Sequence, residues 1–140
     1  MTDALVLRFG ASREQLQRAE RKIDELAERR SWPEDLCFKV KLVVEELSLN
    51  IIDYGYNGDE SKEIEIRFRC GGNDLTIEFI DKARAFNPLT EPPVPDTSAG
   101  IEERSVGGLG VHLVRGAMDE ARYVRQGNCN RLTLKTRLAP

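Results

Sequence analysis

The stretch Val43-Val44-Glu45-Glu46-Leu47-Ser48-Leu49-Asn50 decides the fold. At about 100° per residue, Val40, Val43, Val44, Leu47 and Ile51 share one apolar face, which predicts the middle of a long buried helix. Glu46 and Asn50 lie one turn apart along the edge of that face. A carboxylate there can take a proton from a hydroxyl or a water, and a carboxamide oxygen suits a hard cation such as Mg²⁺. Taken alone, Glu and Asn at this spacing equally describe a solvated helix edge.

On the N-terminal side, Trp32-Pro33 interrupts the pattern, and Pro33 suits the first position of this helix because its missing N–H costs nothing there. The helix is expected to run to about Tyr54. Farther upstream, Ala4 to Phe9 alternates as a strand that Gly10 closes. Ser12 with Glu14 and Gln15 then marks a helix start, and Leu16, Ala19, Ile23, Leu26 and Ala27 recur at helical spacing to about Arg30.

Downstream, Asn57-Gly58-Asp59-Glu60-Ser61 is a turn cluster. Glu63 to Cys70 and Leu75 to Ile80 alternate on either side of Gly71-Gly72-Asn73-Asp74 and predict an antiparallel hairpin. From Lys82 to about Val106, with Pro88, Pro92, Pro93 and Pro95, the chain reads as a long functional loop, a lid. Gly107-Gly108-Leu109-Gly110 leads into a short apolar helix, Val111 to Met118. Ala121 to Arg125 and Leu132 to Leu138 are two closing strands around a Gly127-Asn128 turn. The class expected from this order is α+β: a two-layer sandwich whose mixed, mostly antiparallel sheet is covered on one face by helices, with residues 1–140 as one domain.

Composition narrows the function classes. Hydrophobic residues make up 40% and charged residues 32%, as in ordinary globular proteins, and the net charge of -3 gives no reason to expect direct binding to nucleic acid. No run reaches the roughly 18 apolar residues of a membrane span, and no signal-peptide plan opens the chain, so a cytoplasmic location without membrane attachment is expected. Cys37, Cys70 and Cys129 are widely spaced and odd in number, which fits reduced thiols better than a disulfide frame or a zinc site.

Three patches follow one another in a chemically consistent order. After Glu46 and Asn50 comes Asp81 at a strand end, an acceptor able to receive a bond from an exocyclic amine such as that of adenine. Gly107 to Gly110 then sits at a helix start, where free backbone N–H groups and the helix dipole favour phosphate. Each patch alone also has a plain structural meaning, as a helix edge, a strand end and a helix entry.

Glu46-x-x-x-Asn50, the segment from Asp81, and Gly107-Gly108-Leu109-Gly110-Val111-His112-Leu113-Val114-Arg115 resemble the GHKL or Bergerat-fold ATPases. The likeness is strongest to the bacterial anti-sigma-factor serine/threonine kinases of the RsbW and SpoIIAB type, and it covers nearly the whole chain. It implies ATP and Mg²⁺ as cofactors, with Glu46 as general base and Asn50 as the Mg²⁺ ligand. Asp81 would bind the adenine amine, and Gly107, Gly108, Leu109 and Gly110 would close on the phosphates. From its position just before the glycines, and not from the resemblance, Arg104 is expected to add positive charge near the γ-phosphate when the lid closes. The partners implied are a STAS-like anti-sigma antagonist as phosphoacceptor, a sigma factor, and a second copy of the chain in a homodimer.

Two positions depart from the family pattern. The first glycine box, usually Asp-x-Gly-x-Gly, here reads Asp81-Lys82-Ala83-Arg84-Ala85, so Ala83 and Ala85 stand where the base would pass. If the backbone there requires positive φ or passes against the adenine ring, each added Cβ costs on the order of 1 kcal/mol or more and nucleotide affinity falls; the alternative reading is then an ATP-binding partner switch with degenerate catalysis. Alanine in ordinary backbone is harmless. Tyr54 stands where many relatives carry a histidine.

Overall fold

The computed structural model describes residues 3–90 and 114–138. Strand β1 (Asp3–Gly10) leads into helices α1 (Arg13–Arg29) and α2 (Glu34–Asn50), followed by a π-helical turn, Ile51–Gly55. Strands β2 (Glu63–Gly71) and β3 (Asp74–Asp81) form the hairpin, and β4 (Glu120–Gln126) and β5 (Cys129–Arg137) close the chain. The five strands make one sheet in the order β1-β2-β3-β5-β4, and each of the four pairings is antiparallel.

Helix α1 begins where expected, with the Ser12 side chain accepting from Gln15 N at 3.2 Å. Leu16, Ala19, Ile23, Leu26 and Ala27, the predicted stripe, are all buried. Its C-terminus closes in a Schellman pattern: Trp32 N donates to Ala27 O and Ser31 N to Glu28 O, with Ser31 at φ 55° in the position glycine usually holds. Pro33 precedes the first turn of α2 with an extended ψ of 150°, so the helix starts at Glu34, one residue later than expected. Val40, Val43, Val44 and Leu47 are buried as their spacing predicts.

Period-2 alternation sets the inner face of the sheet. Ile64, Ile66, Phe68 and Cys70 on β2 stand opposite Asp81, Phe79, Ile77 and Leu75 on β3, and all eight are buried. On β5 the same phase gives Asn130, Leu132, Leu134 and Thr136. The helices cover this face, and one core runs through α1, α2 and the sheet. The outer face carries charged cross-strand contacts instead: Arg8 to Glu65 at 2.7 Å and Arg131 to Glu78 at 3.3 Å. The apolar rows of the inner face end at one edge in a polar pair, Asp81 opposite Asn130. That edge is where the C-terminal end of α2 arrives.

Candidate functional site

A cleft lies between the end of α2 and the Asp81 end of the sheet. Leu47 and Ile51 form its helical wall, Phe79 and Leu132 its sheet wall, and Phe86 and Pro88 its rim. Five polar side chains interrupt the apolar lining: Asn50, Asp81, Arg84, Tyr123 and Asn130. Asn50 is only 9% exposed, so it is not the solvated helix edge that spacing alone also allowed.

Asp81 Oδ1 accepts from Ala83 N at 2.9 Å and from Asn130 Nδ2 at 2.8 Å. Both bonds fall on one oxygen, so Oδ2 retains acceptor capacity at the cleft. Burial raises the Asp81 carboxyl above its ordinary value, opposed by those two hydrogen bonds and by the charge of Arg125. An apolar slot with one buried carboxylate acceptor suits a flat heterocycle carrying an exocyclic amine.

Glu46 is half-buried on α2, one turn or roughly 6 Å before Asn50, and is not among the side chains that line the cleft. Desolvation, with a smaller contribution from Glu45, raises its carboxyl above the usual value. A carboxylate with a raised pKa holds a proton more readily, as a general base requires. Among the described residues no group of three or more His, Cys, Asp or Glu side chains is placed to hold a metal. Asn50 offers one hard oxygen donor, which fits Mg²⁺ that takes its remaining ligands from phosphate oxygens and water.

The structure therefore brings Asn50, Asp81 and Ala83 to one cleft, with Glu46 a turn away and Ala85 on the exposed segment after β3. Arg104, Gly107, Gly108, Leu109, Gly110 and the greater part of the expected lid lie outside the described residues. Of the helix expected after the glycines, residues 114–117 are helical, and Met118 N donates to Val114 O.

Neither alanine carries the feared strain, because the only non-glycine residues with positive φ among those described are Ser31 and Asn57. The Ala83 methyl fits because the facing residue is Gly55: a Cβ built on Gly55 would lie 2.9 Å from the Ala83 Cβ. The π-helical turn is what brings Gly55 there, with Tyr56 N donating to Ile51 O at 2.8 Å. Tyr54, the second departure, uses its backbone carbonyl to accept from Arg84 Nε at 3.3 Å.

Residues absent from the sequence expectation complete the site. Tyr56 Oη donates to Glu63 O at 2.7 Å and accepts from Lys82 N at 2.8 Å, tying the start of the 82–86 segment to β2. Asn130 and Arg125 hold the same segment from the closing hairpin, and the Tyr123 hydroxyl bonds Asn130. The signal for Asn130 was its phase: it precedes Leu132, Leu134 and Thr136 at period 2, and β5 starts at Cys129, three residues before the expected Leu132.

Comparison with known proteins bears on the family and the fold. Over 118 residues the chain is 25% identical to the serine/threonine-protein kinase BtrW of Bordetella bronchiseptica, covering 84% of this chain and 82% of that protein. It is 24% identical over 131 residues to the serine-protein kinase RsbW of Listeria monocytogenes, covering 91% and 83%. Among solved structures, the fold is similar to the RsbU and RsbW domains of Rv1364c from Mycobacterium tuberculosis, with a TM-score of 0.67 at 13% identity. That match covers 97% of this chain and 32% of the other. It is also similar to the SiaB-SiaC complex from Pseudomonas aeruginosa, with a TM-score of 0.65 at 13% identity, covering 94% and 88%. Residues 9–136 match the histidine kinase-like ATPase domain, and the chain belongs to that family.

Proposed function

We propose that the chain is an ATP-dependent serine/threonine protein kinase that acts in partner switching. The observation that carries this reading is the buried Asp81 carboxylate at the end of an apolar cleft whose opposite wall is the Asn50 end of α2. The adenine would lie between Leu47 and Ile51 on one side and Phe79 and Leu132 on the other, its amine donating to Asp81 Oδ2. The triphosphate would extend past Asn50, and Gly107, Gly108, Leu109 and Gly110 are assigned to bind it. Asn50 would hold Mg²⁺, which offsets phosphate charge during in-line transfer. Glu46, one turn along the same helix, would accept the proton of the incoming hydroxyl as its oxygen bonds to the γ-phosphorus, with ADP leaving.

The names of the relatives, serine-protein kinases, support a protein substrate. The reading assigns a STAS-like antagonist as phosphoacceptor, a sigma factor as the alternative partner, homodimeric assembly and a cytoplasmic location. No helix among the described residues is long and apolar enough to cross a membrane. Ala83 and Ala85 adopt ordinary backbone, which supports retained nucleotide binding over the alternative of a catalytically degenerate partner switch.

The test incubates purified protein with Mg·ATP and a co-purified STAS-like antagonist and reads phosphoserine and phosphothreonine by mass spectrometry. Wild-type protein is expected to phosphorylate the antagonist. Glu46→Gln is expected to bind ATP normally and to transfer about 10²- to 10⁴-fold more slowly. Phosphate on histidine, or transfer undiminished in Glu46→Gln, overturns the assignment.

A further inference from the structure

The segment that carries the base pocket is held mostly from the far end of the chain. Asn130 is 5% exposed, at the first inward position of β5, directly opposite Asp81. Its Nδ2 donates to Asp81 Oδ1 at 2.8 Å, to Arg84 O at 2.9 Å and, more distantly, to Ala83 O at 3.3 Å. Its Oδ1 accepts from Phe86 N at 3.3 Å and from the Tyr123 hydroxyl. A flipped amide would set its oxygen against two carbonyls and a carboxylate, so these partners leave one orientation. Arg125 on β4 adds a bond from Nη1 to Ala83 O at 2.7 Å.

We propose that Asn130 is the positioning residue of the base pocket: it orients the Asp81 carboxylate and fixes the 83–86 backbone, so that β5 aims the acceptor that β3 carries. The inference rests on the reading of Asp81 as the base-binding acceptor. By occupying Oδ1, Asn130 and Ala83 N stop the carboxylate from turning and hold Oδ2 for the ligand. Tyr123, on β4 opposite Leu132 of β5, adds its hydroxyl as a further donor to the Asn130 Oδ1. Without Asn130, the Ala83 and Arg84 carbonyls lose a shared donor and Phe86 N loses its acceptor, leaving the 83–86 segment held at fewer points, chiefly by Arg125 at Ala83 O.

The test measures Mg·ADP binding by calorimetry for wild type, Asn130→Ala, Asn130→Asp and Asp81→Asn. Asn130→Ala is expected to bind roughly 10- to 100-fold more weakly, the range for losing hydrogen bonds to a charged group. Asn130→Asp keeps the side-chain shape and carries the test if the alanine variant fails to fold. It places two carboxylates in contact, with Arg125 as the nearby cation and Tyr56 and Tyr123 as neighbouring phenols.

Binding is measured at pH 8 and at pH 5.5. The two carboxylates repel when both are ionised and acidification favours one shared proton, whose O–H replaces the lost N–H, so Asn130→Asp is expected to bind at least tenfold more weakly than wild type at pH 8 and to recover several-fold relative to wild type at pH 5.5. A purely structural role for Asn130 gives a ratio to wild type that does not change with pH. That result, or Asn130→Asp binding within threefold of wild type at both pH values, overturns the proposal. If Asp81→Asn loses binding while the Asn130 variants keep it, the positioning role fails and the ATP site stands. Undiminished binding in Asp81→Asn overturns the ATP site itself.

Discussion

Exchanging the methyl group between Gly55 and Ala83 gives a sharp test of how the base pocket is packed. Gly55 closes the π-helical turn without a positive φ, so its backbone does not require glycine. The reason for glycine is space, since a Cβ there would sit 2.9 Å from the Ala83 Cβ, about 0.5 Å inside ordinary contact. Gly55→Ala is expected to cost about 1–3 kcal/mol in overpacking, offset by about 1 kcal/mol of helix propensity. Ala83→Gly loses a buried methyl, about 0.8 kcal/mol, and adds about 0.5–1 kcal/mol of backbone entropy cost.

In the double variant the methyl returns to the same space from the opposite side, so the two changes are expected to compensate by about 1–3 kcal/mol. Urea denaturation of the four proteins measures that coupling. Calorimetry with ATP reads the pocket, because both residues line it: Gly55→Ala should weaken binding and the double variant should restore most of it. Additivity of the two stability changes within about 0.5 kcal/mol would refute the steric account.

Two further outcomes follow from buried polar groups. Asp81 has a carboxyl raised above its unfolded value, so the folded state binds more protons in the window between the two, and stability falls as pH rises through that window. At neutral pH the ionised Asp81 thus costs stability, and Asp81→Asn should melt at the same temperature as wild type or higher while binding ATP at least about 100-fold more weakly, since its amide presents a donor to the ligand's amine. ATP affinity of wild type should likewise fall on acidification at a pH above the ordinary aspartate range. Tyr56→Phe removes the partner of Glu63 O and Lys82 N and should cost about 1–3 kcal/mol, read as a melting temperature lower by roughly 3–10 °C. An unchanged melting curve would show that water replaces the hydroxyl.

The elements of this fold were legible because each is announced locally. The stripe of Leu16, Ala19, Ile23, Leu26 and Ala27 and the strict alternation of β2 and β3 are properties of a few neighbouring residues, and the structure buries them accordingly. Glu46, Asn50 and Asp81 could be named from the chain because their chemistry stands out against an apolar pattern. For Asn130 the period-2 phase was the one local signal, and it was masked because an asparagine next to a Gly127-Asn128 turn looks like part of that turn until the register of β5 is known.

By itself, then, the sequence determined the helices, the hairpins, the α+β class and the chemical types present at the site, since periodicity and capping act over one or two turns of chain. Only the tertiary structure decided that Asp81 and Asn130, 49 residues apart, meet as one buried pair, and that Gly55 makes room for the Ala83 methyl. Cross-strand register and helix placement are set by packing the whole core at once, and no local pattern encodes a distance between segments that meet only when that core is complete.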